Sequence, residues 1–215
     1  MKAWRIENDD GIDALKLTDV DIGDPGPGEV RFRVKASSIN RRDFNTVRAP
    51  SARNTPLPRI PNSDAAGEVV AVGDGVREFK PGDRVASCFF KRWQGERMRA
   101  SIMASALGGA EEGMLSEEAI LPETALVPLP EHLTWVEAGT LTCAGVTAWN
   151  ALVEQGGLKA GDTVLVMGTG GVSIFALQLS KIMGARVIAT SKSDEKLERA
   201  RNMGADETIN YVDTP

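Results

Sequence analysis

From Glu29 to Ser37 the chain alternates without a break: Val30, Phe32, Val34 and Ala36 are apolar, and Arg31, Arg33 and Lys35 between them are charged. A period of two puts every apolar side chain on one face, which predicts a half-buried strand with a charged outer face. The turn Pro25-Gly26-Pro27-Gly28 launches it. Gly67 to Gly73 and Arg84 to Ala86 read as further short strands, separated by turns at Asp74-Gly75 and Pro81-Gly82-Asp83. The alternation is lost from Lys91 to Gly113, a charged stretch rich in alanine and glycine that predicts a surface lobe with a helical piece. Leu126 to Pro130 reads as a domain boundary. After it, Thr134 and Glu137 form a capping box that opens helices running to about Glu154 and stopping at Gly156-Gly157.

The period then changes. Thr163 to Met167 is a nearly unbroken apolar run, and Val172, Phe175, Ala176, Leu179, Ile182 and Met183 recur at helical spacing behind it. A second run, Arg186 to Thr190, completes a strand–turn–helix–strand unit. The turn is Gly168-Thr169-Gly170-Gly171-Val172-Ser173, and this setting is where a G-x-G-x-x-G pattern signals dinucleotide binding. Gly168 permits the tight turn and Gly170 lets the backbone approach a pyrophosphate. Thr169, Gly171 and Val172 complete the loop, and the helix amino-terminus offers unpaired N–H groups and a positive dipole end. Ser173 stands where a third glycine or alanine is usual and is small enough for helix–strand packing. The competing reading is a glycine-rich turn in an ordinary βαβ unit.

Composition narrows the function classes. A chain of 215 residues with 42% apolar content can bury a core in one or two domains. The net charge of −5, with no basic cluster, argues against nucleic acid as a partner. Cys88 and Cys143 are too few for a disulfide framework. Charges in Met1 to Glu7 leave no apolar signal core, and no apolar run reaches membrane-spanning length. The expectation is a soluble, cytoplasmic protein acting on a small molecule, with neither nucleic acid nor membrane as partner.

Five stretches, in order, carry a resemblance: Pro27 to Val30, Asp64 to Val69, Phe79 to Val85, Cys143 to Trp149 and Gly168 to Val172. Together they resemble the medium-chain dehydrogenase/reductase family, in its zinc-free, quinone-oxidoreductase-like branch. The resemblance implies an α/β protein: a β-rich GroES-like catalytic domain over residues 1–127, then, from 128 to 215, the first half of a Rossmann domain, whose sheet is doubly wound and parallel. It also implies a homodimer for the full-length family member and a substrate held between the two domains.

Zinc enzymes of the family carry Cys, His and Cys where this chain has Asn40, Ser63 and Cys143. Amide and hydroxyl groups are poor zinc ligands beside thiolate and imidazole, and the lobe lacks the four cysteines of a structural zinc site, so no zinc is expected. Cys143 then reads as a packed small apolar residue, a reactive thiol being the alternative. The relay hydroxyl two places after the first ligand is replaced by Arg42. The one histidine, His132, reads as a solvated surface residue. Alcohol oxidation without zinc lacks a stabiliser for the alkoxide, whereas reduction of an activated alkene, quinone or carbonyl needs a hydride donor and hydrogen bonds to the developing oxyanion. Asn40 resembles the asparagine of the quinone-reductase branch and is the expected contact to substrate oxygen, with Arg42 assisting electrostatically. Asn40 as a loop residue bonding its own backbone stands beside that reading.

An NAD enzyme wants an acidic residue at the end of the second strand, roughly 20 residues past the glycine turn. Here stand Ser191 and Lys192, with Lys196 a short step on. A hydroxyl and two ammonium groups suit the 2′-phosphate of NADPH, which is favoured over NADH. By resemblance Lys196 and Tyr211 contact the adenosine phosphate end, and Thr147 lies close to the nicotinamide or else is a core helix residue. Asp194 and Glu195 suit the helix dipole, though either reaches a ribose equally well in principle. Only about three of the usual six Rossmann strands precede Pro215, so the sequence reads as a truncated piece that would expose one side of its parallel sheet. Two alternatives to the NADPH reductase remain: an NAD-dependent alcohol dehydrogenase, and a truncated nucleotide-binding or interaction module without turnover.

Overall fold

The computed structural model describes residues 1–93, 95 and 98–213. Positions 94, 96 and 97 of the expected lobe, and 214–215 at the end of the expected Rossmann segment, lie outside the described residues. The chain folds as two compact units, Met1–Cys143 and Ala144–Pro215.

In the first unit β1 (Lys2–Ile6) and β2 (Leu15–Asp19) form an antiparallel pair around a 3-10 turn, Gly11–Ala14. Then come β3 (Glu29–Ala36), α1 (Arg41–Arg48), β4 (Ala66–Val72), β5 (Arg84–Ser87), α2 (Ala100–Met103), β6 (Glu118–Pro122), β7 (Leu126–Pro128) and α3 (Trp135–Ala138). The sheet is antiparallel in the order β6-β3-β4-β5-β7. The alternation of β3 explains its place. Val30 and Phe32 are fully buried against Val69, Val85 and Leu121, while on the other face Arg31 pairs with Glu118 at 2.7 Å and Lys35 with Glu68 at 3.7 Å. Such cross-strand pairs are worth roughly 0.2–1 kcal/mol each, so burial of the apolar face sets the register.

The stretch expected to be the domain boundary is strand β7, in register with β5 through Val85↔Pro128 and Ser87↔Leu126. Arg84 fastens the residues just beyond β7: its guanidinium donates to the carbonyls of Pro130, Glu131 and Leu133 and lies 4.2 Å from the centre of the Trp135 ring. Residues 128–143 thus pack with the first compact unit, which runs to Cys143. The lobe after Lys91 does carry its helical piece, α2. It is pinned beneath the 60–64 loop, where Gly113 N–H donates to Ile60 O at 2.8 Å and Met114 N–H to Asn62 O at 2.9 Å. Backbones pass so closely there that a Cβ on Gly108 would stand 2.5 Å from Asn62 O, and one on Gly113 would overlap the carbonyl oxygens of Pro61 and Asn62.

The second unit runs α4 (Val146–Trp149), a π-helical stretch Asn150–Gln155, β8 (Thr163–Met167), α5 (Gly171–Ile182), β9 (Arg186–Ser191), α6 (Asp194–Asn202) and β10 (Glu207–Asn210). Its three strands are parallel, in the order β10-β9-β8, the arrangement of a Rossmann half-sheet. Val166, Val187 and Ala189 form one core with Ala176, Leu177 and Ala200 of the two helices. On the opposite sheet face Leu165, Met167 and Ile209 are exposed. Of the apolar stripe expected on α5, Ala176 is buried and Phe175 and Leu179 pack against the core beside Leu177, whereas Val172 and Ile182 at its two ends are exposed.

Candidate functional site

In the first unit, the buried polar atoms converge on Asp64, whose side chain has no solvent exposure. Its Oδ2 accepts from Ser38 Oγ and Asn40 Nδ2, each at 3.0 Å. Its Oδ1 accepts from Ser63 Oγ at 3.0 Å and Thr142 Oγ1 at 3.3 Å. Asn40 comes to this place because it is the N-cap of α1. Its backbone N–H donates to Asp43 Oδ2 at 2.8 Å, closing the first turn as a capping carboxylate does. Burial pushes the Asp43 carboxyl above the ordinary range, against the opposing pull of the Asn40 N–H and the Arg42 guanidinium.

Arg42 is committed to structure. Nη1 donates to Leu107 O at 2.6 Å and to Asp43 Oδ1 at 3.1 Å, and the guanidinium covers the Phe89 ring at 4.8 Å. It ties α1 to the lobe. The Cys143 thiol is pushed up to about 11, by burial first and then by the charges of Asp64 and Asp43. A thiol raised in this way is the opposite of the lowered one that a reactive thiolate requires. Among the described residues no group of three His, Cys, Asp or Glu side chains is placed to hold a metal ion, and His132 is exposed. Around Asp64 stand two neutral groups, Asn40 and Ser63, and the Cys143 thiol, and the carboxylate itself accepts four hydrogen bonds.

The second unit carries the glycine turn at the carboxyl end of β8. Gly168 has φ +80°, a conformation that strains any L side chain, and its N–H donates to Thr190 O at 3.0 Å, locking the turn to β9. Gly170 is the extended N-cap of α5, with φ −78° and ψ 174°, and no atom lies within 4 Å of where its Cβ would be. No side chain caps α5 and its first turn has no acidic residue, so its leading N–H groups face outward as an anion site. Ser173 has a positive role: its Oγ donates to Met167 O at 3.0 Å, tying the helix to the strand. The open space over Gly170 and the uncapped helix end fit a pyrophosphate.

At the end of β9, Ser191 is 5% exposed and its Oγ accepts from Ser193 N–H at 3.2 Å. Tyr211 donates its backbone N–H to Ser191 O at 3.2 Å, which brings the end of β10 alongside, while its side chain is exposed. Lys192 and Lys196 are both exposed. The two acids beside them are engaged: Asp194 Oδ1 accepts from Asn210 Nδ2 at 2.8 Å and Glu195 pairs with Arg199 at 2.8 Å.

The profile of the alcohol dehydrogenase GroES-like domain matches residues 26–131, and that of the zinc-binding dehydrogenase matches 171–214. A zinc-type alcohol dehydrogenase-like protein of Schizosaccharomyces pombe is 43% identical over 95% of this chain and 60% of its own length. The chain belongs to the medium-chain dehydrogenase/reductase family. The structure of a putative alcohol dehydrogenase from Sinorhizobium meliloti shares 45% identity and a TM-score of 0.92, over 99% of this chain and 63% of that one. An NADPH-dependent alkenal/one oxidoreductase of Arabidopsis thaliana, chloroplastic, is 34% identical over 99% of this chain and 53% of its own. The chain thus spans less than two thirds of the length of each of these relatives.

Within this family frame, the structure gathers Asn40 and Cys143 with Asp64 in the first unit, and Gly168, Thr169, Gly170, Gly171 and Val172 in the second. Ser191, Lys192 and Tyr211 adjoin at the strand ends, with Lys196 in the first turn of α6. Thr147 lies exposed on α4, not in the core. That helix stretch closes on the glycine turn, since the Ala144 Cβ is 3.4 Å from where a Gly171 Cβ would stand. Sequence reading missed Ser38 and Thr142. They reach Asp64 from 26 and 78 residues away, and nothing in their local pattern announces it.

Proposed function

We propose that this chain carries the catalytic and first nucleotide-binding parts of a zinc-independent, NADPH-dependent reductase acting on a small activated alkene, quinone or carbonyl compound. The observation that carries the reading is the donor set around Asp64, which is complete without a metal. When bound, the nicotinamide supplies the hydride. In this reading Asn40 donates to the substrate oxygen as negative charge develops there, an interaction that gains strength in the transition state. The N–H groups at Gly171 and Val172 hold the pyrophosphate. Ser191, Lys192 and Lys196 hold the 2′-phosphate and Tyr211 the adenosine side. Two exposed ammonium groups, Lys192 and Lys196, beside the Ser191 hydroxyl support NADPH. A relative named NADPH-dependent alkenal/one oxidoreductase supports the same cofactor and substrate class. No described helix is long and apolar enough to cross a membrane, and a cytoplasmic location is part of the proposal.

Parallel titration with NADPH and NADH, read by tryptophan fluorescence, tests the cofactor half. Trp149 is partly exposed two residues from Thr147. NADPH is expected to bind at least about tenfold more tightly, a difference of about 1.4 kcal/mol. Equal or tighter NADH binding would favour the NAD-dependent alcohol dehydrogenase instead.

A further inference from the structure

Asp64 holds more than its share of the first unit's buried polar contacts. A carboxylate offers about four lone-pair directions, and here each carries a donor: Ser63 and Thr142 on Oδ1, Ser38 and Asn40 on Oδ2. The donors come from the chain after β3, the N-cap of α1, the chain before β4 and the π-helical stretch Leu141–Gly145, so this one side chain joins four segments at once. A second amide braces the arrangement: Asn62, at φ +69°, donates through Nδ2 to Ser37 Oγ at 3.1 Å and to Ser38 O at 3.2 Å.

The consequence concerns Asn40. An amide's nitrogen and oxygen are told apart by what they face, and an ionised carboxylate only accepts. Asn40 must therefore turn Nδ2, not Oδ1, toward Asp64. One of its two N–H groups is spent on that bond at 3.0 Å; the other has only Ser38 Oγ, at a long 3.5 Å. We propose that Asp64 is a positioning residue: it fixes the Asn40 amide with its nitrogen inward, leaving the second N–H as the donor presented to the substrate oxygen. The inference rests on the reading of Asn40 as the oxyanion contact. An asparagine at position 64 would offer a donor and an acceptor together, and the Asn40 amide would lose its fixed sense.

The test is a double-substitution cycle in the full-length protein, with NADPH and an α,β-unsaturated ketone, following kcat and both KM values. Asn40→Ala and Asp64→Asn are each expected to lower kcat about 10–100-fold with the KM for NADPH unchanged. Asp64→Asn should cost no more than about twofold further in the Asn40→Ala background, because the group it orients is gone. Asp64→Glu should recover part of kcat. Full additivity of the two substitutions, or an Asp64→Asn protein that keeps kcat within about twofold while Asn40→Ala loses it, would overturn the positioning role. An Asn40→Ala protein with unchanged kcat would instead remove the oxyanion reading beneath it. A second measurement needs no Asp64 variant. The Asn40 side-chain NH₂ signals of the unsubstituted protein, assigned by their loss in Asn40→Ala, should be a separated pair, with the N–H facing Asp64 the more slowly exchanging of the two. A collapsed, rapidly exchanging pair would contradict the fixed amide.

Discussion

Gly113→Ala is expected to unfold most of the first unit, lowering its melting temperature by about 10–20 °C. Its added Cβ would overlap two backbone carbonyls, those of Pro61 and Asn62, and no flexible side chain is available to give way. The lobe must separate from the 60–64 loop, which breaks the Gly113 and Met114 bonds to Ile60 and Asn62. A cost above about 4 kcal/mol is exceptional for one substitution and is a large part of a typical 5–15 kcal/mol stability. Because Ser63 and Asp64 end that loop, the polar cluster should be lost with it. Gly170→Ala is the contrasting case. With φ −78° and no atom within 4 Å of the new Cβ, it should melt within about 2 °C of the unsubstituted protein. The same methyl would occupy the space assigned to the pyrophosphate, so NADPH affinity should fall about 100-fold or more. A Gly113→Ala protein with unchanged melting, seen by circular dichroism, would refute the close approach; a Gly170→Ala protein that binds NADPH normally would refute the cradle.

The second large effect is expected at the end of β9. Ser191→Asp combined with Lys196→Ala should shift the NADPH-to-NADH affinity ratio about 1,000-fold toward NADH, or about 4 kcal/mol. Two terms add: loss of an ammonium group beside the 2′-phosphate, and a new carboxylate that repels the phosphate and accepts from a ribose hydroxyl. Ser191 Oγ already accepts from Ser193 N–H, so a carboxylate there has a donor waiting and the strand end should keep its shape. Isothermal titration of both cofactors reads the ratio. An unchanged ratio would place the 2′-phosphate elsewhere.

What the sequence revealed, and what it hid, divides along the range of the interactions. β3, β4 and β5 were legible because alternation and flanking turns are local, and the turn at Gly168 because one backbone angle and one close approach demand glycine. β7 was not: Leu126 to Pro128 looks like a linker until its pairing with β5 is known, and the Arg84 clasp on residues 130–135 depends on contacts nearly fifty residues apart. The exposure of Val172 and Ile182 on α5 escaped for a similar reason. Its apolar positions are more numerous than one face needs, and only the packed sheet decides which are buried. Asn40 and Ser63 were singled out as departures from a zinc pattern, but why those departures cohere was invisible. The answer is Asp64, whose four donors lie 1, 24, 26 and 78 residues away.

The central claim is that reduction proceeds without a metal, at a site whose carboxylate is satisfied by hydroxyl and amide groups. The measurement that meets it most directly is NADPH oxidation by the full-length protein with an α,β-unsaturated ketone, after exhaustive chelation and with metal content determined on the same sample. The account predicts undiminished turnover at less than about 0.05 zinc per chain, with no gain on adding zinc. Turnover that vanishes on chelation and returns in proportion to added zinc would contradict it.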